Sequence, residues 1–160
     1  MKLQMREARQ KDFNTIRLLL RETHLPTDAV GHAESIYYVA EDNQDIVGVA
    51  AYEFYDDDAL LRSVAVRPGF QKSGIGSQIV DFMLEMARTK GVQNVVLLTE
   101  TAKDFFFKKN FRIVDRKAIE NESMKSSPEF VYHCPTTAVC MLIQLRKSKD
   151  RLEDSFKRRP

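Results

Sequence analysis

Between Arg62 and Ser77 the chain reads RSVAVRPGFQKSGIGS, and no other stretch limits its possible folds as strongly. A β-branched run stops at Pro68, which cannot donate to a strand ladder. From Ile75 onward, apolar residues recur at Ile79, Phe82, Met83, Met86 and Ala87, the stripe of a long helix with one buried face. Gly91, behind the basic Arg88 and Lys90, fits its C-terminal stop. A strand that feeds a helix through such a loop turns backbone N–H groups toward one point, where the positive end of the helix dipole also lies. That arrangement binds phosphate without a dedicated cation. Gly74 and Gly76 carry no Cβ and let the backbone approach a bulky anion, and Lys72 adds charge. Two phosphate motifs are excluded. Gly69 and Gly74 have the Walker A separation, but Ile75 stands where the lysine belongs. A GxGxxG run fails because Ile79 occupies the third glycine position after Gly74 and Gly76.

The segments around this unit alternate in type. Strands are expected at Leu3 to Ala8, Ser35 to Glu41, Ile46 to Tyr55, Ala59 to Val66, Val92 to Thr99, Arg112 to Asp115 and Ala138 to Leu145. Asp12 reads as the N-cap of a helix carrying Phe13, Ile16, Leu19 and Leu20, and THLPTDAVGHAE as turns with a broken or short second helix. A short aromatic helix is expected over Ala102 to Lys109, and a long loop over Ile119 to Pro135. Hairpins early and a strand–helix–strand unit later predict an α/β chain with a mixed sheet, antiparallel at first and locally parallel in its second half.

With 160 residues, 43% of them hydrophobic, one domain over 1–145 with a core of its own is expected, followed by a basic tail over 146–160. The tail holds seven Lys/Arg against three Asp/Glu, while the whole chain carries only +2. That balance lacks the basic excess of a nucleic-acid module. No apolar run approaches a bilayer span, so no membrane partner is expected. Cys134 and Cys140 form no metal-ligand pattern, so no metal is expected; free thiols and a cytoplasmic location are. The last strand, near Leu142 and Ile143, is a candidate edge for pairing across a dimer, leaving monomer or homodimer open.

Gln71-Lys72-Ser73-Gly74-Ile75-Gly76 matches the (Q/R)xxGx(G/A) pyrophosphate loop of the GNAT acetyltransferases, and the whole segment from Leu3 to Leu145 resembles a GNAT domain. TETAKDFFFKKNF, Thr99 to Phe111, is similar to the family's second cofactor region, with Asn110-Phe111 where a GF pair is usual. Together with LRSVAV and EFVYHCPTTAVCM, it resembles the arsenic-resistance N-acetyltransferases, and with them the acetyltransferase domain of N-acetylglutamate synthases. The resemblance implies a GNAT fold: a mostly antiparallel sheet with a splayed parallel pair at its centre and flanking helices. It implies acetyl-CoA as cofactor and a small amine as acceptor, of amino-acid type or an arsenical glutamate analogue. Backbone at Val64, Ala65 and Val66 is then expected on the pantetheine arm, Gln71, Lys72, Ser73, Gly74, Ile75, Gly76 and Ser77 around the pyrophosphate, and Thr99, Ala102 and Phe106 on the cofactor's other side.

Such chemistry is direct attack of a neutral amine on a thioester, served by orientation, an oxyanion donor, a base and an acid. The N–H of Val64 or Ala65 is the expected oxyanion donor. The tyrosine that often protonates coenzyme A falls at Phe106, which has no proton to give. Water, Tyr132, Ser63 or Cys134 are the substitutes, or the thiolate leaves unassisted. Glu53, acting through water, is the first choice for the base, with Glu100 as competitor; His24 and His32 have no further support. Alternation puts Arg62 on a face with Val64 and Val66, where it is either neutralised by a carboxylate such as Glu53 or clamps an acidic acceptor. Leu25 and the 119–135 loop are expected to wall the amine pocket, and Cys134 is either a soft ligand for arsenic or a buried thiol. The competing readings are a GNAT for peptides or polyamines, and a cofactor-binding module without catalysis.

Overall fold

The computed structural model describes residues 3–133 and 137–145. Cys134 and the tail over 146–160 lie outside the described residues. The strands are β1 (Gln4–Glu7), β2 (Ile36–Asp42), β3 (Asp45–Tyr55), β4 (Asp58–Val66), β5 (Asn94–Thr99), β6 (Arg112–Val114) and β7 (Val139–Gln144). The helices are α1 (Phe13–Glu22), α2 (Ile75–Thr89), α3 (Lys103–Lys108) and α4 (Glu122–Lys125). They build a seven-stranded mixed sheet of order β1-β2-β3-β4-β5-β7-β6, in which β4 and β5 run parallel and the pairs β1–β2, β2–β3, β5–β7 and β6–β7 antiparallel. The described residues divide into two compact units, one of 3–54 and 61–84, the other of 55–60, 85–133 and 137–145.

In the first unit the antiparallel strands follow chain order, joined between β2 and β3 by a two-residue turn. Asn43 and Gln44 take φ +49° and +69° there, the left-handed pair that a tight hairpin needs. Alternation then sorts the strands cleanly. Tyr37, Val39, Val49 and Ala51 face α1, packing with Ile16, Leu19 and Leu20. Tyr38 and Tyr52 face α2 instead. Tyr38 meets Phe82 with ring centroids 6.2 Å apart, and the Tyr52 hydroxyl donates to the Met83 carbonyl at 2.7 Å. At Gly48 the helix comes so close that a Cβ would lie 2.4 Å from Ile79 Cδ1. Asp12 does not cap α1 with its side chain. Its carboxylate instead takes the Arg9 N–H at 2.8 Å and both Nη atoms of Arg6 at 2.7 and 3.1 Å, closing a 3₁₀ turn ahead of the helix.

The expected short helix between Thr23 and Ser35 is absent. Pro26 and a left-handed Gly31 (φ +90°) break the stretch into turns, closed by Val30 N–H to Thr27 O and His32 N–H to Ala29 O.

In the second unit, Leu60, Val96, Met124 and Cys140 share a core with Ile119. The expected 119–135 loop is not structureless: α4 and a π-helical turn (Glu129–His133) occupy it. Asn121 sets α4, its Oδ1 accepting from Met124 N–H at 3.0 Å and its Nδ2 donating to Tyr55 O at 2.8 Å. The last strand is no free edge. β7 lies between β5 and β6 with a ladder on both sides, which leaves β6 at the margin.

Candidate functional site

Strand β4 changes character halfway. Its first residues pair with β5 as Asp58↔Asn94, Ala59↔Val95 and Leu60↔Val96, and the pairing ends there. Three residues later Ser63 adopts φ +57°, a left-handed conformation inside a strand. The hairpin turn between Tyr55 and Asp58 has two residues, so plain counting sets Ile46 opposite Arg67. Instead the Arg67 N–H donates to Val47 O at 2.8 Å. One extra residue has been taken up by β4, and the left-handed Ser63 is where the bulge sits.

The bulge corrects the face assignment made by alternation. Arg62, Ser63 and Ala65 all reach the α1 side: Arg62 Nη1 donates to Glu53 Oε2 at 2.9 Å, Ser63 Oγ lies 3.1 Å from the Tyr37 hydroxyl, and Ala65 packs into the α1 cluster. Val64 and Val66 do not share that face with Arg62. The Arg62–Glu53 pair is deeply buried, with side chains 2% and 4% exposed, and the Ser35 hydroxyl donates to the same Glu53 oxygen at 2.8 Å. Of the two roles open to Arg62, neutralisation by Glu53 is therefore the one seen. Glu53 is a buried, hydrogen-bonded carboxylate. Leu25, half-buried, packs against the same α1 cluster. The partners Ser35 and Tyr37 escaped the sequence reading. Their only signal is that they stand two apart on one strand face, which says nothing of what lies across the sheet.

Past Val66 the chain enters the glycine loop. Gly69, Lys72 and Gly74 take φ +94°, +66° and +84°, and a Cβ at Gly69 or Gly74 would meet nothing within 4 Å. The loop is closed from within: Phe70 N–H donates to Arg67 O at 3.0 Å, Gln71 Nε2 to Val66 O at 3.1 Å, and Ser73 Oγ to Phe70 O. Gln71, Lys72, Ser73 and Gly74 are exposed. The first helical bond of α2 runs from Gln78 N–H to Gly74 O at 3.1 Å. The N–H groups of Ile75 and Gly76 thus belong to the first turn, ahead of any intrahelical acceptor. Bare glycine backbone, open space and a helix N-terminus fit a diphosphate.

All but two of the remaining predicted residues within the described chain belong to the second unit. Thr99 Oγ1 accepts the Ala102 N–H at 3.0 Å, a turn that leads into α3. Phe106 is buried and stacked edge-on against Phe105 and Phe111, with centroids 5.0 and 5.5 Å away. Glu100 is exposed and accepts from Thr137 Oγ1 at 3.3 Å. Tyr132 is 80% exposed, on the π-helical turn. Cys140 is buried, which pushes its thiol up to about 11. His24 and His32 lie on the surface of the first unit.

Residues 33–113 match the family model described as an acetyltransferase (GNAT) domain. Among solved structures, Rv2747 from Mycobacterium tuberculosis in complex with CoA and NLQ is similar at 26% identity and TM-score 0.75, over 89% of this chain and 99% of that one. N-acetylglutamate synthase from Neisseria gonorrhoeae, complexed with coenzyme A and N-acetyl-glutamate, aligns at 18% identity and TM-score 0.76 over 92% of this chain. This chain spans 36% of that longer protein. The ribosomal-protein-S18-alanine N-acetyltransferase from Escherichia coli shares the fold at 14% identity and TM-score 0.70, over 92% of this chain and 96% of that one.

Proposed function

The chain belongs to the GNAT acetyltransferase family, and we propose that it moves an acetyl group from acetyl-CoA to the amine of a small, amino-acid-like acceptor. The observation that carries the reading is the bare, left-handed loop from Gly69 to Gly74 at the mouth of α2, continuous with a strand whose β5 ladder has ended. Acetyl-CoA dependence follows from the family. The acceptor class is supported by the N-acetyl-glutamate-bound relative, and the arsenical glutamate analogue is the narrower case suggested by LRSVAV and CP-x-x-A.

In this reading, backbone N–H groups from Gln71 to Ser77 hold the diphosphate. The β4 backbone at Val64, Ala65 and Val66 lies along the pantetheine arm, with a Val64 or Ala65 N–H toward the acetyl oxygen. When bound, the cofactor supplies an activated thioester. The family resemblance adds Thr99, Ala102 and Phe106 to the cofactor contacts. Arg62, neutralised by Glu53, offers an acidic acceptor guanidinium hydrogen bonds rather than a net charge, and Ser63 and Leu25 border it. The Glu53 carboxylate is committed to Arg62, which suits it to orientation more than to proton removal; Glu100 is the other carboxylate in play. Tyr132 and Cys134 stand as the acids to be tested, since Phe106 has none.

Thiol release from acetyl-CoA, followed with glutamate, an arsenical glutamate analogue, spermidine and a peptide, tests the assignment. Turnover with the first two and background rates with the others is expected. Turnover with spermidine or peptide alone overturns the acceptor class, and coenzyme A binding without turnover for every amine favours the silent module.

A further inference from the structure

We infer that Tyr37 is a positioning residue for acetyl transfer: its hydroxyl locks Ser63 in the left-handed bulge that delivers the following β4 backbone to the thioester arm. The inference rests on the acetyl-transfer reading of β4. Serine without a lock has no reason to leave the strand region, because its Cβ makes φ near +57° costly. A residue held there persists only where its surroundings over-determine it.

The surroundings name the holder. Ser63 is 9% exposed and Tyr37 3%, and their hydroxyls lie 3.1 Å apart with either able to donate. Tyr37 stands on β2 and Ser63 on β4, so the bond crosses the intervening β3, two strand spacings or about 9.6 Å. A tyrosine has the reach. What clears its path is the residue in register with it on β3, the fully buried Ala51, whose methyl group leaves the ring room to lie over the strand. The ring is wedged among α1 side chains, so the hydroxyl holds a fixed place rather than a preferred one.

The location of the lock matters more than its strength. The β4–β5 ladder ends at Leu60, the bulge falls at Ser63, and the Arg67 N–H rejoins β3 one residue out of step. The segment proposed to carry the pantetheine contacts, Val64 to Val66, hangs between those two points. Its backbone is aimed by the dihedral angles of Ser63 and by little else nearby in the chain.

The test is a kinetic cycle. Tyr37→Phe keeps the ring and removes the hydroxyl; it is expected to raise the acetyl-CoA KM about tenfold, with the acceptor KM within about twofold. Glycine takes positive φ without help. In a Ser63→Gly background the same Tyr37→Phe change is therefore expected to leave the acetyl-CoA KM within about twofold of the Ser63→Gly parent. An equal penalty in both backgrounds overturns the lock, because the hydroxyl then acts elsewhere. A lower melting temperature with unchanged KM also overturns it, reducing Tyr37 to packing. If wild-type chain releases no thiol with any amine, the acetyl-transfer reading is what fails. The bulge lock is then judged by the urea-unfolding cycle of the same four proteins, where additive effects of the two substitutions refute it.

Discussion

Arg62 and Glu53 make the most consequential contact at the level of single residues. Each is a charge taken out of water, tolerable because the other is 2.9 Å away and Ser35 adds a donor. Removing one partner leaves the other buried and uncompensated. Arg62→Met is expected to destabilise the chain by about 3–5 kcal/mol, whereas Arg62→Met with Glu53→Leu should recover most of that loss. Chemical denaturation of the two variants checks it, and equal losses for single and double changes would refute the pairing. Glu53→Gln tests the base assignment separately. If Glu53 only orients Arg62, the pH profile of kcat keeps its shape while the acceptor KM rises; a lost acidic limb would restore Glu53 as the base. Cys140 is buried, with its thiol raised to about 11, so it should resist alkylation at pH 8 in the native chain and react on unfolding. Mass spectrometry of the peptide reads this directly.

At the scale of elements, the site depends on how closely α2 lies on β3. Gly48 allows that approach, and a Cβ there would press on Ile79 Cδ1, a side chain that is itself fully buried. Gly48→Ala is expected to cost about 1–3 kcal/mol and to weaken coenzyme A binding by moving the first turns of α2. Adding Ile79→Val, which deletes the obstructing carbon, should return part of the stability; a double variant no better than Gly48→Ala would show that the helix is not seated this way.

Element order and the α2 stripe were legible because periodicity is local: Ile75, Ile79, Met83 and Ala87 announce a buried face whatever surrounds them. So was the glycine loop, since Gly69 and Gly74 stand where φ is positive. The bulge was not. Serine carries no signature of left-handed backbone, and an extra residue in β4 is defined only against β3. Without it, alternation sets Arg62 on the face of Val64 and gives no sign of the Tyr37–Ser63 contact across the sheet. The short helix expected near Pro26 does not form because Pro26 and the left-handed Gly31 divide the stretch into turns. Sheet order is written in no single segment, so nothing in β7 itself shows that β6 covers its outer side.

For the molecule as a whole, acid is the informative stress. Arg6 grips Asp12 with two bonds and Glu41 with a third at 2.8 Å, and its hydrogen bonds hold the Asp12 carboxyl down at about 2. A carboxyl depressed by folding contributes stability that is complete above its unfolded value near 3.8 and is lost as pH falls toward about 2. The contribution is about 2 kcal/mol. The chain should therefore lose urea resistance between pH 4 and 2, and Asp12→Asn should flatten that part of the curve; a variant with the wild-type acid profile would remove this triad from the cause. Order of synthesis follows from the place of β7. Strands β1 to β4 pair with neighbours already made, so each can zip onto the last as it leaves the ribosome. β6 has its ladder only with β7, and β5 has half of its own there, so the margin of the second unit stays open until residues 139–144 emerge. For that interval the nascent chain shows an unpaired strand edge, and it is then that a chaperone has most to do.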